Sequence, residues 1–431
     1  MESYKNIIKA TSLFGGVHGL NSALDLVRSK IAAELLGPAG TGLNTIYNET
    51  RELLHSTSNL GLDLSGIRNI SRRYEEWRKS KEVAERELYK ELLLDEIALL
   101  RSWIFLLASI GTLLCMVLAE PLSYFTFQDL DHILGFVMLS PAVGLSTIVC
   151  GEMIVLKATR RIKLVASITL AFVILAILVT LPFYYFFGIN GVLPALVMLC
   201  LSEALLVISF SFRRYKPRFF FKTEKLKAGF PILKLGIAFA LAGMLTHGTQ
   251  LAIRAFFNHE GGLILVGLYG AGYSIFMKLC NIAFASVDSD YFPRLSGIFN
   301  NLEERRATVY RQIRVTVPIS LLIAAITIPL LPYLLPLLNT EEYMPAVRMA
   351  QFAIASIVFR AIYLPFSYLT LAAGTSRIFL FLEFLSNVII VACIYTCYQY
   401  WQLDGVGIGL LLAQIIDTVI SFFVAKFKFN I

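Results

Sequence analysis

Charged and amide side chains recur at helical spacing inside stretches that otherwise read as hydrocarbon. At about 100° per residue, His18, Asn21, Asp25 and Arg28 share one face of a helix, and Asn44, Asn48, Arg51, His55 and Asn59 share another. Lys30, Glu49 and Glu52 lie beside them. Further on come His247, Gln250 and Arg254, then Ser274, Lys278 and Asn281 with Asp288 beyond, then Arg360, Tyr363 and Ser367. Ionisable groups at bilayer depth cost several kcal/mol unless they face protein or water, so these stripes should line one wet cavity. Arg28, Lys30, Arg51, Arg254, Lys278 and Arg360 would make that cavity cationic and suited to an anion. Arginine in particular fits phosphate, because its planar fork donates paired, charge-assisted hydrogen bonds. Asp25, Asn48, Glu49, Glu52, His55, His247, Gln250, Asn281 and Asp288 are the remaining polar cavity residues and candidates for coupling. Asp25 and Arg28, at i,i+3, also fit an internal ion pair, whereas Arg254, Lys278 and Arg360 have no carboxylate three or four residues away.

Other chemistry finds little support. Glu152 reads as solvated near a membrane surface; Glu203 and Asp417 lie deeper and fit either a proton carrier or polar packing. No nucleophile elbow, phosphate-binding loop or His/Cys metal spacing occurs. The six cysteines fall in apolar segments without CxxC spacing and read as reduced packing residues. The expectation is a non-enzyme with no catalytic residues, no metal and no cofactor, for which H+ or Na+ are candidate coupling ions.

The elements that must hold these stripes are membrane spans. A chain of 431 residues that is 57% hydrophobic and 16% charged has the composition of a polytopic membrane protein. Twelve spans are expected, near 7–34, 41–66, 103–119, 133–156, 164–186, 191–212, 235–257, 265–290, 315–337, 346–372, 378–398 and 405–425. The first two form a hairpin with its turn at Gly37-Pro38-Ala39-Gly40, and Leu64-Ser65-Gly66-Ile67 closes the second. Connectors after odd-numbered spans contain no Lys or Arg; the even-numbered connectors and the two tails hold 31 of the 38. By the positive-inside rule both termini are cytoplasmic. Net charge +8 therefore reports topology, and the basic, aromatic 213–227 connector fits lipid headgroups, with no nucleic acid expected as a partner. The 71–101 connector should be a solvated helix supported by Glu75–Lys79.

The chain also repeats itself. Gly42-Leu43 opens the second span and Gly267-Leu268 the eighth; Leu64-Ser65-Gly66-Ile67 finds its counterpart at 295–298. Arg28 precedes its Gly-Leu by 14 residues and Arg254 by 13. The expectation is an all-α membrane protein of two parallel six-helix lobes around a central cavity. Residues 1–212 form the N-lobe, 213–233 a cytoplasmic interlobe linker and 234–431 the C-lobe.

The run Lys30-x-x-Ala33-x-x-Leu36-Gly37-Pro38-x-Gly40-x-Gly42-Leu43 resembles the first hairpin of the Wzx-type O-antigen and polysaccharide flippases. These belong to the multidrug/oligosaccharidyl-lipid/polysaccharide (MOP) exporter superfamily. Val266-Gly267-Leu268-Tyr269 and Tyr291-Phe292-Pro293-Arg294-Leu295-Ser296 are similar to that family's eighth helix and its exit. The resemblance implies the MOP flippase fold in a bacterial inner membrane. It implies alternating access and a cargo of undecaprenyl-pyrophosphate-linked oligosaccharide carried to the periplasmic leaflet. Membrane lipids, a glycan polymerase and glycosyltransferases are its implied partners. It matches Lys30, Arg254 and Arg360 to basic positions of the family, while Lys278 departs from an acid expected nearby. The rivals are a multidrug/cation antiporter of the same superfamily, and a membrane glycosyltransferase or polymerase.

Overall fold

The computed structural model describes the backbone of residues 2–80, 82–220, 230–287, 291–374 and 376–431. Side chains are described from Leu24 onward, apart from those of 63–64, 230–235, 285–286, 293 and 376. The described residues are helical almost throughout. They form α1 (Glu2–Asn59), α2 (Leu62–Lys79), α3 (Val83–Val117), α4 (Ala119–Phe127), α5 (Ile133–Ala158), α6 (Ile162–Phe187), α7 (Val192–Arg214), α8 (Phe230–Ser286), α9 (Phe292–Gly297), α10 (Leu302–Leu338), α11 (Ala346–Ala355), α12 (Ile357–Ala372) and α13 (Ser376–Phe429). Six segments are long and apolar enough to cross a membrane, seven with the bent pair α11–α12. Three of the six are double length and are interrupted, at Gly188–Gly191, at Gly261–Gly262 and at Gln402. Each therefore supplies two spans. In α13 the reversal is direct: Gly405 lies against the Cys397 carbonyl and Gly409 against Cys393, the pairing of an antiparallel hairpin. The two arms of α1 are too polar to count by composition, and they bring the spans to twelve.

Two boundaries differ from expectation. The first turn is a single residue: α1 leaves helical geometry only at Gly37 (φ 61°, ψ −174°) and Pro38 starts the next arm. Proline suits that position because its missing N–H is unpaired there in any case. The second arm ends at Asn59, so Leu64-Ser65-Gly66-Ile67 belongs to α2 rather than closing the span. The tenth span, 346–372, is bent by 41° between α11 and α12. The Glu75–Lys79 support expected for the solvated helix is replaced: Glu75 meets Arg160 at 2.9 Å and Arg78 at 3.9 Å.

The chain packs as two units, Met1–Leu36 with Leu43–His259, and Gly37–Gly42 with Glu260–Ile431. In the first, α3 and α5 approach through small residues, as membrane helices do when hydrophobic burial does not drive them together. Gly144 sits beside Thr112 and the Ala108 carbonyl, and Gly151 beside Ile104. At one end of this pair Leu62, Ile70, Leu93, Ile97, Trp103, Ile154 and Ala158 form a buried cluster. Beside it Arg101 donates to both oxygens of Glu152, at 2.8 and 2.9 Å, and to the Tyr215 and Lys216 carbonyls. Glu152 also accepts from Ser211. Glu152 is 4% exposed, which corrects the solvated reading: its counter-charge comes from 51 residues upstream.

The second unit makes the internal repeat physical. Gly262 (φ 68°, ψ −172°) repeats the backbone of Gly37, 225 residues earlier. That conformation is essentially restricted to glycine. Gly42 and Gly267 keep the same offset. Each is pressed against the residue four before its counterpart: Gly42 against the Leu263 carbonyl, Gly267 against the Pro38 carbonyl. This is a local two-fold contact between the starts of two helix arms. Gly42→Ala and Gly267→Ala should each destabilise the purified protein by about 1–3 kcal/mol, because the added methyl meets backbone that cannot yield. Gly297→Ala, whose methyl meets nothing within 4 Å, should change thermal stability by less than about 0.5 kcal/mol.

Candidate functional site

In the first unit the second arm of α1 carries the polar stripe, and most of it is turned onto α5 and α7. Asn48 Nδ2 donates to the Asn44 carbonyl and to its Oδ1, both at 3.0 Å. Arg51 donates to Ser146 Oγ at 2.7 Å, to Glu52 Oε1 at 2.5 Å and to Asn48 Oδ1 at 3.5 Å, and lies 3.9 Å from Cys200 Sγ. His55 Nδ1 is 3.0 Å from Thr147 Oγ1. Asn59 Nδ2 is 3.9 Å from Cys150 Sγ. Ser146, Thr147 and Cys150 share one face of α5, so stripe meets stripe. Glu203, on α7, lies close enough to Arg51, Arg28 and Glu52 to act on them through space.

Glu49 points instead to the first arm of α8. Its Oε2 is 3.3 Å from His247 Nδ1 and its Oε1 3.2 Å from Arg254 Nη2. Arg254 Nη1 also donates to the carbonyl and Oε1 of Gln250, each at 2.9 Å. His247, Gln250 and Arg254 thus act as one set, as their spacing predicts. Arg254 is not a free cation, however. It is 4% exposed, and its carboxylate comes from another helix, where sequence spacing carries no signal.

The other two expected cavity cations of this unit, Arg28 and Lys30, are also paired. Arg28 reaches Asp25 at 2.9 Å, realising the i,i+3 pair. Lys30 reaches Glu34 at 3.3 Å, an i,i+4 partner that its spacing alone would have revealed. Four of the six expected cavity cations therefore hold a carboxylate within the unit that contains them. His18 and Asn21 fall among residues whose side chains lie outside the described set, and Asp288 is outside it altogether.

The second unit holds Lys278 and Arg360. Lys278 is half-buried on α8, and Asn281, one turn on, is exposed. Arg348, at the start of α11, has an exposed side chain that meets Asp404 at 3.5 Å. Arg360, on α12, is half-buried. Among the described residues its guanidinium has no carboxylate within 4.0 Å and donates no hydrogen bond, and its Nε is buried without a partner. Ser367 donates its hydroxyl to the Leu364 carbonyl at 3.0 Å. Asp417, on α13, accepts from Ser386 at 2.5 Å and lies within electrostatic reach of Glu383 and Arg360. Among the described residues no group of three or more His, Cys, Asp or Glu is placed to hold a metal ion.

No protein-family model and no curated protein matches this sequence. Solved structures do. A MATE-family multidrug resistance transporter of the MOP superfamily, inward-facing, aligns with a TM-score of 0.70 at 13% identity, over 95% of this chain and 94% of that one. An outward-facing MATE-family transporter aligns at 0.59 and 14% identity, over 94% and 98%. A MOP superfamily transporter from Pyrococcus furiosus, described as having a binding pocket of reverse polarity that suggests a different function, aligns at 0.64 and 13% identity, over 98% and 94%. The fold is thus that of multi-pass transporters of the MOP superfamily, along essentially the whole chain.

The Glu49–Arg254 pair gives a direct test of this geometry. Glu49→Gln leaves a nearly fully buried guanidinium without its counter-charge and should cost about 3 kcal/mol or more of stability. Arg254→Gln in the same background should recover part of that loss. A double-mutant cycle on thermal or denaturant stability measures the coupling; strictly additive losses would mean the two side chains do not interact.

Proposed function

We propose that this chain is a transporter of the MOP class that flips a lipid-linked oligosaccharide. The cargo is an O-antigen or other polysaccharide repeat on undecaprenyl pyrophosphate, moved from the cytoplasmic to the periplasmic leaflet of a bacterial inner membrane by alternating access. The lobes that alternate are 1–212 and 234–431, joined by the cytoplasmic linker 213–233, and the chain performs no covalent chemistry.

The observation that carries this reading is Arg360. A half-buried guanidinium with no ion pair among its described neighbours favours an anion in that place. A pyrophosphate supplies one and matches the fork. An antiporter for cationic drugs gains nothing from such a charge. The resemblance of the first hairpin and the exit of the eighth span to the polysaccharide flippases points the same way. Coupling to H+ or Na+ would then fall to the embedded acids, Glu203 and Asp417 among them.

In cells lacking the native gene, Arg360→Ala should lower surface glycan at least about tenfold, the scale of a lost charge-assisted hydrogen bond. The variant should remain in the membrane at normal level. Arg360→Lys should recover part of the activity, keeping the charge without the fork. Normal glycan in the alanine variant would overturn the assignment.

The multidrug/cation antiporter is the second reading. It is favoured by the MATE-family neighbours and by the carboxylates Glu49, Glu52 and Glu203. Efflux of a cationic dye that disappears in Glu49→Gln, with surface glycan unchanged, would favour it.

Orientation is testable separately. In a background without native cysteines, Ile189→Cys and Glu341→Cys should react with an impermeant thiol reagent applied outside the cell, and Glu85→Cys should not. The opposite pattern would invert the topology.

A further inference from the structure

Below its apolar span, α10 presents a second arginine cluster that the transport reading does not use. A groove of about 500 Å3 runs along this one helix, lined by Glu303, Arg306, Ala307, Tyr310, Arg311 and Arg314. The three arginines are exposed, and none has an ion pair or donates a side-chain hydrogen bond among the described residues. The neighbouring Arg305 behaves differently: it is tied to the Phe299 and Phe429 carbonyls and stacks on the Phe299 ring. The groove therefore holds three free guanidiniums against one carboxylate, Glu303.

What lies above the groove identifies its occupant. The row through Arg311 continues at helical spacing into Val315, Ile319, Leu322, Ile326 and Leu330, all exposed. A face of α10 about 110° further round, through Gln312, Thr316, Ser320 and Ala324, is buried. An exposed apolar row on a membrane-spanning helix faces acyl chains. The arginines at its foot stand where headgroups begin, beside a tyrosine of the kind enriched at that depth. A free anion would satisfy the charge but leave the row above unrelated to it.

We propose that Arg306, Arg311 and Arg314 form a binding site for the phosphate of an anionic glycerophospholipid, whose acyl chains lie along the Val315–Leu330 row. The paired donors of the guanidiniums grip the phosphodiester, and Tyr310 packs at the glycerol level. The site is separate from Arg360 and does not depend on the identity of the cargo.

The test is native mass spectrometry of the full-length protein released from mild detergent with phosphatidylglycerol or phosphatidylcholine added. The protein should bind phosphatidylglycerol preferentially. Preference should fall about fivefold for each arginine changed to glutamine, the scale of one basic residue at an anionic membrane surface. Arg311→Lys should lose less than Arg311→Gln. Lys426→Gln with Lys428→Gln, which removes basic charge elsewhere, should leave the preference unchanged. All three arginines are exposed, so the triple variant should keep the parent's thermal midpoint; if it does not, the single variants decide. Equal binding of phosphatidylglycerol by the parent and the arginine variants overturns the proposal. So does equal binding of phosphatidylcholine by the parent. Displacement of the lipid by inorganic phosphate would make this a free-anion site. Preference for a prenyl pyrophosphate over phosphatidylglycerol would make it part of the cargo path. Either result removes the phospholipid assignment.

Discussion

A charge taken into a membrane bundle must bring its partner or find one there. Desolvation costs several kcal/mol per ion, and only a well-placed counter-charge with additional hydrogen bonds offsets it. Four described arginines of the first unit follow this rule. Arg101 and Glu152 close on each other and recruit Ser211 and two backbone carbonyls. Arg254 takes Glu49 and Gln250, Arg51 takes Glu52 and Ser146, and Arg28 takes Asp25. The contacts among these that cross between helices fix the faces that α1, α3, α5, α7 and the first arm of α8 turn toward one another. Lipid tails would accept any apolar face, whereas a salt bridge accepts one register.

This constraint separates what the sequence made legible from what it hid. The twelve spans follow from hydrophobic length, and the structure keeps them with small shifts at their ends. The stripes follow from the 3.6-residue period, and His247, Gln250 and Arg254 do act together. Partners drawn from another helix leave no trace in spacing. Arg254 therefore reads as free although Glu49 holds it, and Glu152 reads as solvated although Arg101 holds it. Lys30 and Glu34 are a different case: their i,i+4 relation is legible in the sequence itself.

The repeat shows how a duplicated backbone and its charges part company. Gly37 and Gly262 share a backbone conformation at an offset of 225 residues, and Gly42 and Gly267 share a packing role at that same offset. Applied to Arg28, the offset reaches Ile253, one residue short of Arg254. One residue is about 100° on a helix, so the two arginines do not occupy equivalent faces, and the similarity of their distances to the Gly-Leu pairs is only approximate. Backbone geometry at a tight turn admits glycine alone and therefore persists. A charged side chain needs only a partner within reach, and a compensating carboxylate can arise on any neighbouring helix.

From this it follows which cations can respond to a ligand. A paired guanidinium already has its anion, and a second anion must displace a carboxylate or share the fork with it. Arg254 and Arg51 are thus suited to holding helices together, or to coupling through their acids, more than to gripping phosphate. An unpaired guanidinium has no carboxylate in contact to displace, although Asp417 lies within electrostatic reach of Arg360. Arg360 within the bundle and Arg306, Arg311 and Arg314 at its edge are the described arginines in that condition for which the structure offers a place. The first lies among protein groups and the others at the foot of a lipid-facing row. The same chemistry, a fork without a carboxylate, therefore marks two different environments, and the surroundings decide whether the phosphate it takes belongs to cargo or to the membrane itself.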